Sequence, residues 1–210
     1  MLSLWQEVHL PLARAHELCG GARRTLALHM AAEALKTAGG GTVIWIAPAW
    51  GGDPLNTCGV APILPPQDLI FVTPDRTEDM LWAMEESLRA GCAPAVIADL
   101  SEAPGMTAVR RLHLAAEAGA AEGFGPPLAL LLTPGTGGAP GVETRWQMDT
   151  AHEPGRDLWH LERLRARMAP PRRWRLENGR LHAAHDRTTQ TPWPGQQRSP
   201  HHPQPEVARG

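Results

Sequence analysis

The sequence predicts an α/β fold in which a mostly parallel central sheet is covered by helices on both faces. Three observations point to it. Residues 42–46, 69–73, 95–99 and 128–132 are short apolar runs rich in Val, Ile, Leu and Ala, the pattern of strands buried on both faces. Helical periodicity recurs at residues 23–37, 75–90 and 107–118. Strand and helix thus alternate along the chain, as a parallel sheet with crossover helices demands.

The elements follow in order. Residues 15–19 read as a strand that runs into the Gly20-Gly21 turn. In the helix at 23–37, Leu26, Met30 and Ala34 share a face, with Leu28 and Leu35 beside it, and Gly39, Gly40 and Gly41 end it. Residues 48–68 hold five prolines and three glycines and read as a long loop with room for one short helical turn. The run 69–73 is expected to be a buried strand. Asp75 and Glu78 have the spacing of a capping box for the next helix. That helix is expected to turn Met80, Leu81, Met84 and Leu88 inward and Glu85, Glu86 and Arg89 outward. Residues 95–99 form a strand that ends on the carboxylate of Asp99.

Beyond Gly141 the pattern changes. Residues 143–148 alternate polar and apolar, like a half-exposed strand. Leu158, Leu161, Leu164 and Met168 form an apolar stripe at helical spacing, with Arg163, Arg165 and Arg167 around it, and Pro170-Pro171 as a stop. A C-terminal helix is therefore expected at 158–168. Residues 173–182 read as a hairpin around Asn178-Gly179, since Asn-Gly suits the positive φ angles of a two-residue turn. From residue 186 the chain is polar and rich in proline, with Trp193 and Val207 as its only sizeable apolar residues. The domain organisation read from this is one domain over residues 1–185 and a disordered tail over 186–210.

Basic charge is almost all arginine, and Lys36 is the only lysine. The net charge of −2 conceals an asymmetry. Residues 1–150 carry sixteen acids against nine bases, and residues 151–210 carry six acids against eleven bases. The basic end is a candidate surface for an acidic partner or nucleic acid. Cys19, Cys58 and Cys92 form no CxxC pair, and an odd count argues against a disulfide framework. Reduced thiols suit the cytosol. No apolar run approaches the roughly 18 residues of a membrane span. The first residues also lack the basic and apolar segments of a signal peptide. These readings place the protein in the cytoplasm.

In open α/β sheets, ligands bind at the carboxyl ends of the strands. Two features fall there, the loop Gly20, Gly21, Ala22, Arg23, Arg24, Thr25, and Asp99. A working phosphate loop has the form GxxxxGK[ST], in which backbone N–H groups wrap the phosphates, the lysine reaches them and the hydroxyl meets Mg²⁺. With Arg24-Thr25 in the Lys-Thr places, Arg23 replaces the second glycine and Leu18 replaces the first. The loop is about two residues short of a phosphate cradle. Arg24 at the helix N-terminus still offers weak anion contact. Gly20-Gly21 reads equally well as a tight strand-to-helix turn, and Asp99 as a relic of a magnesium-holding acid or a helix cap. No cofactor is expected.

Residues 69–80 with the helix to Arg89, then residues 91–99, resemble the corresponding stretch of RecA, where a strand, a Pro-Asp turn and a helix lead to the magnesium-site strand. His16-Glu17, Trp45-Ile46 with Trp50, residues 81–86 and residues 143–146 look like the ImuA family, RecA- and SulA-related proteins of bacterial SOS mutagenesis cassettes. The likeness spans roughly residues 10–182. It implies a RecA-like three-layer α/β/α fold with the C-terminal helix and hairpin appended. It departs from RecA at the phosphate loop and at residues 47–50, which hold no acid where RecA keeps a catalytic glutamate. Those departures imply an accessory protein rather than an enzyme. The resemblance further implies a place in translesion synthesis beside ImuB, a polymerase-like partner without catalytic residues, with RecA and an error-prone C-family DNA polymerase. It also implies nucleoid association once induced and indirect contact with DNA.

The best candidate contact surface is the basic C-terminal part: Trp159, Leu161, Arg163, Leu164, Arg165, Arg167, Arg172, Arg173, Trp174 and Arg175. Arginine and tryptophan are favoured interface anchors, and the same residues suit base stacking beside phosphates. The plainer reading is a C-terminal helix that docks its leucines on the core with solvated arginines. Trp45, Trp82 and Trp146 read as core, and Trp50 as a secondary contact. His182, His185 and Asp186 are a weak metal constellation, His201-His202 is tail composition, and Cys19 reads as a packing residue or a helix-terminus thiol. Three rival functions stay open from the sequence: a weak nucleotide binder, a SulA-like cell-division inhibitor and a direct single-strand DNA binder.

Overall fold

The computed structural model describes residues 1–49 and 54–184. Trp50, His185, Asp186, Trp193, His201, His202 and the whole 186–210 segment lie outside the described residues. The elements are β1 Leu2–Leu4, β2 Val8–Leu10, β3 Arg14–Cys19, α1 Arg23–Ala38, β4 Val43–Ile46, α2 Thr57–Val60, β5 Leu69–Val72, α3 Thr77–Arg89, β6 Ala95–Asp99, α4 Met106–Gly119, β7 Leu128–Leu132, β8 Thr144–Thr150, β9 Leu158–Ala166, β10 Arg172–Glu177 and β11 Arg180–Ala183. Among the described residues, no helix is long and apolar enough to cross a membrane.

The fold is mixed α/β. Nine strands form one sheet in the order β11-β10-β9-β8-β3-β7-β6-β4-β5. Pairing is parallel from β8 through β3, β7, β6 and β4 to β5, and antiparallel from β8 out to β11. β4, β6 and β7 are buried along their whole length, which is why their sequences do not alternate. Val43, Trp45, Ala95, Ile97, Leu128 and Leu130 pack with Leu26, Met30 and Ala34 of α1. Ile44, Ile46, Val96, Ala98, Ala129 and Leu131 pack with Met80, Met84 and Leu88 of α3 and with Val109, Leu112 and Ala116 of α4.

The helices on the second face approach closely at one point. A Cβ on Gly119 would lie 1.9 Å from the carbonyl oxygen of Leu88. Gly119→Ala must therefore push α4 off α3, at about 1–3 kcal/mol. A lowered urea midpoint is the expected reading, and a midpoint equal to or above the parent's refutes this account of the contact.

Several expectations from sequence are corrected. Residues 158–168 are not a helix, since Leu158–Ala166 is β9, paired with β8 on one side and β10 on the other. The ladder has a register shift at Arg145/Trp146, where Trp146 faces Arg163 and Arg145 faces Arg165. Leu158 and Leu161 lie three residues apart in regular register, so a spacing that reads as one helical stripe in fact places them on opposite faces of the strand. Met168 lies beyond the strand and is exposed. β5 is an edge strand of the sheet rather than a buried one, with Ile70 48% and Phe71 49% exposed. Trp82 is 61% exposed, whereas Trp45 and Trp146 are buried. The N-cap of α3 is Arg76, with no side-chain cap, so the Asp75–Glu78 box does not form. Glu85 is buried and bridges Arg89 (2.6 Å) to Arg111 on α4 (2.7 Å).

An N-terminal hairpin was absent from the sequence reading. β1 and β2 pair antiparallel and bury Leu2, Leu4, Val8 and Leu10 over α1. Their turn carries positive φ at Trp5 and Gln6, residues that give no turn signal. The predicted hairpin at Asn178-Gly179 is present as β10–β11, with φ of +48° and +76°.

Candidate functional site

β3 ends at Cys19, buried deeply enough to push its thiol up to about 12 and donating to the carbonyl of Trp146 (3.3 Å). It is therefore a packing residue. Gly20 then turns with φ of +87°, and a Cβ there would fall 2.4 Å from the carbonyl oxygen of Met148. The backbone N–H groups of Gly20, Gly21, Ala22 and Arg23 each have an acceptor. Gly20 donates to Gly135 O (3.0 Å), Ala22 to Met148 O (2.9 Å) and Arg23 to Gly20 O (3.4 Å). Gly21 donates to the carboxylate Oδ1 of Asp149 (2.7 Å), whose Oδ2 accepts from the amide of Gln147 (2.7 Å). A carboxylate from the end of β8 therefore lies at the start of α1, the place where helix dipole and free N–H groups would otherwise attract an anion.

The arginines of the loop face inward. Arg24 Nε donates to Asp99 Oδ2 at 2.5 Å, and Arg23 Nη2 lies 3.6 Å from Asp99 Oδ1. Arg23 also reaches Gly20 O (3.4 Å), while its Nε is buried without a hydrogen-bond partner among the described residues. Thr25 is half-buried on the first turn. In a phosphate loop the basic residue and the strand-end acid meet through phosphate and metal. Here they pair with each other, two guanidiniums around one nearly buried carboxylate.

The sequence reading missed what closes the loop. Glu17 on β3 is fully buried. Its Oε1 accepts from Thr133 Oγ1 (2.7 Å), Gly138 N (2.8 Å) and Ala139 N (3.0 Å), and its Oε2 pairs with Arg145 Nε. Arg145 Nη2 also donates to Ala139 O (2.9 Å). These bonds hold residues 133–139 against β3, and that segment supplies Gly135 O to Gly20. One signal was present in the sequence, a glutamate in a strand expected to join the buried sheet, which needs partners when buried.

Beside Glu17, the imidazole of His16 is fully buried. Nε2 donates to Pro11 O (2.8 Å), so Nδ1 accepts from Thr144 Oγ1 (2.7 Å), which itself accepts from Trp146 Nε1 (2.8 Å). Burial lowers its pKa to about 4, opposed by the Pro11 bond and reinforced by His113.

The residues grouped from sequence as one C-terminal contact surface divide between the two faces of the sheet. Leu161 and Trp174 are buried. Trp174 stacks on Trp146 with ring centroids 5.8 Å apart and donates to Glu7 Oε2 (2.9 Å). The Arg163 guanidinium lies 5.6 Å from both rings and grips Pro170 O through Nε (3.1 Å) and Nη2 (2.9 Å). Burial, with Arg172 nearby, lowers its pKa. Arg172 covers Trp174 at 5.1 Å and pairs with Glu7 at 3.0 Å. Trp159 is half-buried against His152, and Leu164 is half-buried. Arg165, Arg167 and Arg175 are exposed, and Arg173 pairs with Glu162 at 3.0 Å. His182 is exposed on β11. The chemistry available across these residues is ion pairing and hydrogen bonding.

No family model matches the sequence, and no curated protein matches it. Among solved structures, the chain is similar to SulA from Pseudomonas aeruginosa, with 21% identity and a TM-score of 0.47 over 60% of this chain and 100% of that one.

Proposed function

We propose that this chain is a non-catalytic adaptor of RecA-like ancestry in SOS-induced translesion DNA synthesis, working in the cytoplasm and at the nucleoid once induced. The resemblance of residues 10–182 to the ImuA family supports the setting and the partners, an ImuB-like polymerase homologue with RecA and an error-prone C-family polymerase. The observation that carries the non-catalytic part is the closed loop. The N–H groups of Gly20, Gly21 and Ala22 are spent on Gly135, Asp149 and Met148, and the arginines on Asp99. A triphosphate would have to break those contacts before making its own, so no bound nucleotide is part of this function.

Titration with a fluorescent ATP analogue, with and without Mg²⁺, tests this directly. Absence of saturable binding up to millimolar analogue is the expected result, and saturable micromolar binding overturns the reading. The partner half is tested by co-purifying the full chain with an ImuB homologue. Deleting the C-terminal part is not a clean test, because β9 and β10 bury Leu161 and Trp174 in the same sheet. Filamentous growth on expression in undamaged cells, without complex formation, would move the function to division control.

A further inference from the structure

Among the described residues, the outer strands β8–β11 have one face without a helix. Their α1-side face carries Trp146, Met148, Leu161 and Trp174 of the core. On the other side, α3 and α4 pack on β3, β4, β6 and β7. The register fixes what this face displays. Asp149 stands opposite His160, His160 opposite Arg175, and Arg175 opposite His182. Gln147, Glu162 and Arg173 form the next row, and Arg145 faces Arg165. Cross-strand neighbours on one face lie about 5 Å apart, so these side chains make one continuous polar surface. It begins at the Asp149 carboxylate that closes the Gly20–Ala22 loop.

The charges on this surface do not balance. Each carboxylate the four strands place there is engaged: Asp149 with Gly21 and Gln147, Glu162 with Arg173 (3.0 Å), and Glu177 with Arg156 (3.3 Å). Arg165, Arg175 and Arg180 are exposed and form no ion pair among the described residues. Among the described residues, three guanidiniums on one face therefore lack an anion. Nucleic acid is a poorer occupant than protein. Single strands bind where aromatic faces stack bases beside cations, and the tryptophans of these strands are buried or turned to the α1 side. Guanidinium forks without a stacking platform suit carboxylates.

We infer that the helix-free face of β8–β11 docks a carboxylate-rich segment of a protein partner, held by Arg165, Arg175 and Arg180. This rests on the adaptor reading and names the chemistry of its partner. It also places the contact on the side of the sheet away from the Arg163–Trp174 stack.

The test uses the full chain, a fluorescein-labelled peptide of alternating Glu and Ala, and a fluorescein-labelled oligo-dT of matched charge. The triple variant Arg165→Gln, Arg175→Gln, Arg180→Gln is compared with Arg76→Gln, Arg110→Gln, which removes charge from α3 and α4. Parental unfolding midpoints confirm that both are folded, and the single variant Arg175→Glu serves if the triple variant is not. The parent is expected to bind the peptide, the triple variant about tenfold more weakly, and the control unchanged. Four results overturn the inference: no peptide binding by the parent, equal binding by the triple variant, tighter binding of oligo-dT that the triple variant loses, or a parent dimer that the triple variant dissolves. Complex formation with an ImuB homologue that survives the triple variant would remove this face and leave the adaptor reading standing. Saturable binding of the ATP analogue would do the reverse.

Discussion

Glu17→Ala is expected to cost about 3–5 kcal/mol of folding stability, the scale for removing one partner of a buried ion pair. Arg145 would remain largely buried without its carboxylate, and Thr133 Oγ1, Gly138 N and Ala139 N would lose a shared acceptor. Glu17→Gln separates the two losses. The amide oxygen can keep the three donors while the amide nitrogen faces the guanidinium, so about half of the cost is expected from charge alone. Arg145→Leu in the Glu17→Leu background should restore part of the loss, because a packed apolar pair needs no ion. The local consequence is sharper than the global one. Gly135 O accepts from Gly20 in the segment that Glu17 helps to hold, so amide exchange at Gly20 should accelerate before the strands open. Urea unfolding and residue-resolved exchange check both. A Glu17→Ala chain within about 1 kcal/mol of the parent, with Gly20 still protected, would contradict the role given to this carboxylate.

How far these features could be read from sequence depended on how local their causes are. β4, β6 and β7 were legible because burial on both faces leaves continuous apolar runs. The β10–β11 turn was legible because Asn178 and Gly179 answer a purely local demand for positive φ. β9 was misread because its strand character comes from partners. Leu158, Leu161 and Leu164 have helical spacing, and only the ladders to Thr144–Thr150 and Arg172–Glu177 make the segment extended. The shortened loop was visible as Gly20-Gly21 before Arg23-Arg24-Thr25, and Asp99 was visible at a strand end. What fills the loop was not visible. Asp149 meets Gly21 across 128 positions of chain, and Gly138 meets Glu17 across 121. Neither acid announces these partners locally: Asp149 acquires its role when β8 is laid beside β3, and Glu17 when the segment after β7 and Arg145 of β8 close over it.

Acid is expected to destabilise this protein through His16 as pH falls from about 6.5 to about 4. Burial is the main cause of the low imidazole pKa, about 4 against 6.5 for a free side chain, and the bond to Pro11 O only partly offsets it. The unfolded chain therefore takes up this proton first as pH falls. Stability from His16 is complete above about pH 6.5, declines by up to ~1.4 kcal/mol per pH unit below that, and levels off near pH 4, a total of about 3 kcal/mol. His29, His113 and His160 are shifted in the same direction by burial and add to the slope. His16→Gln isolates the contribution, because an amide can donate to Pro11 O and does not titrate. The variant should be less stable than the parent near pH 8, through imperfect packing beside Thr144, and its disadvantage should shrink by about 3 kcal/mol as pH falls to about 4. Urea unfolding of both chains across that range gives the difference curve. A flat difference would mean that His16 protonates equally well folded and unfolded, and that the chain from Trp146 through Thr144 to Pro11 does not hold the imidazole neutral.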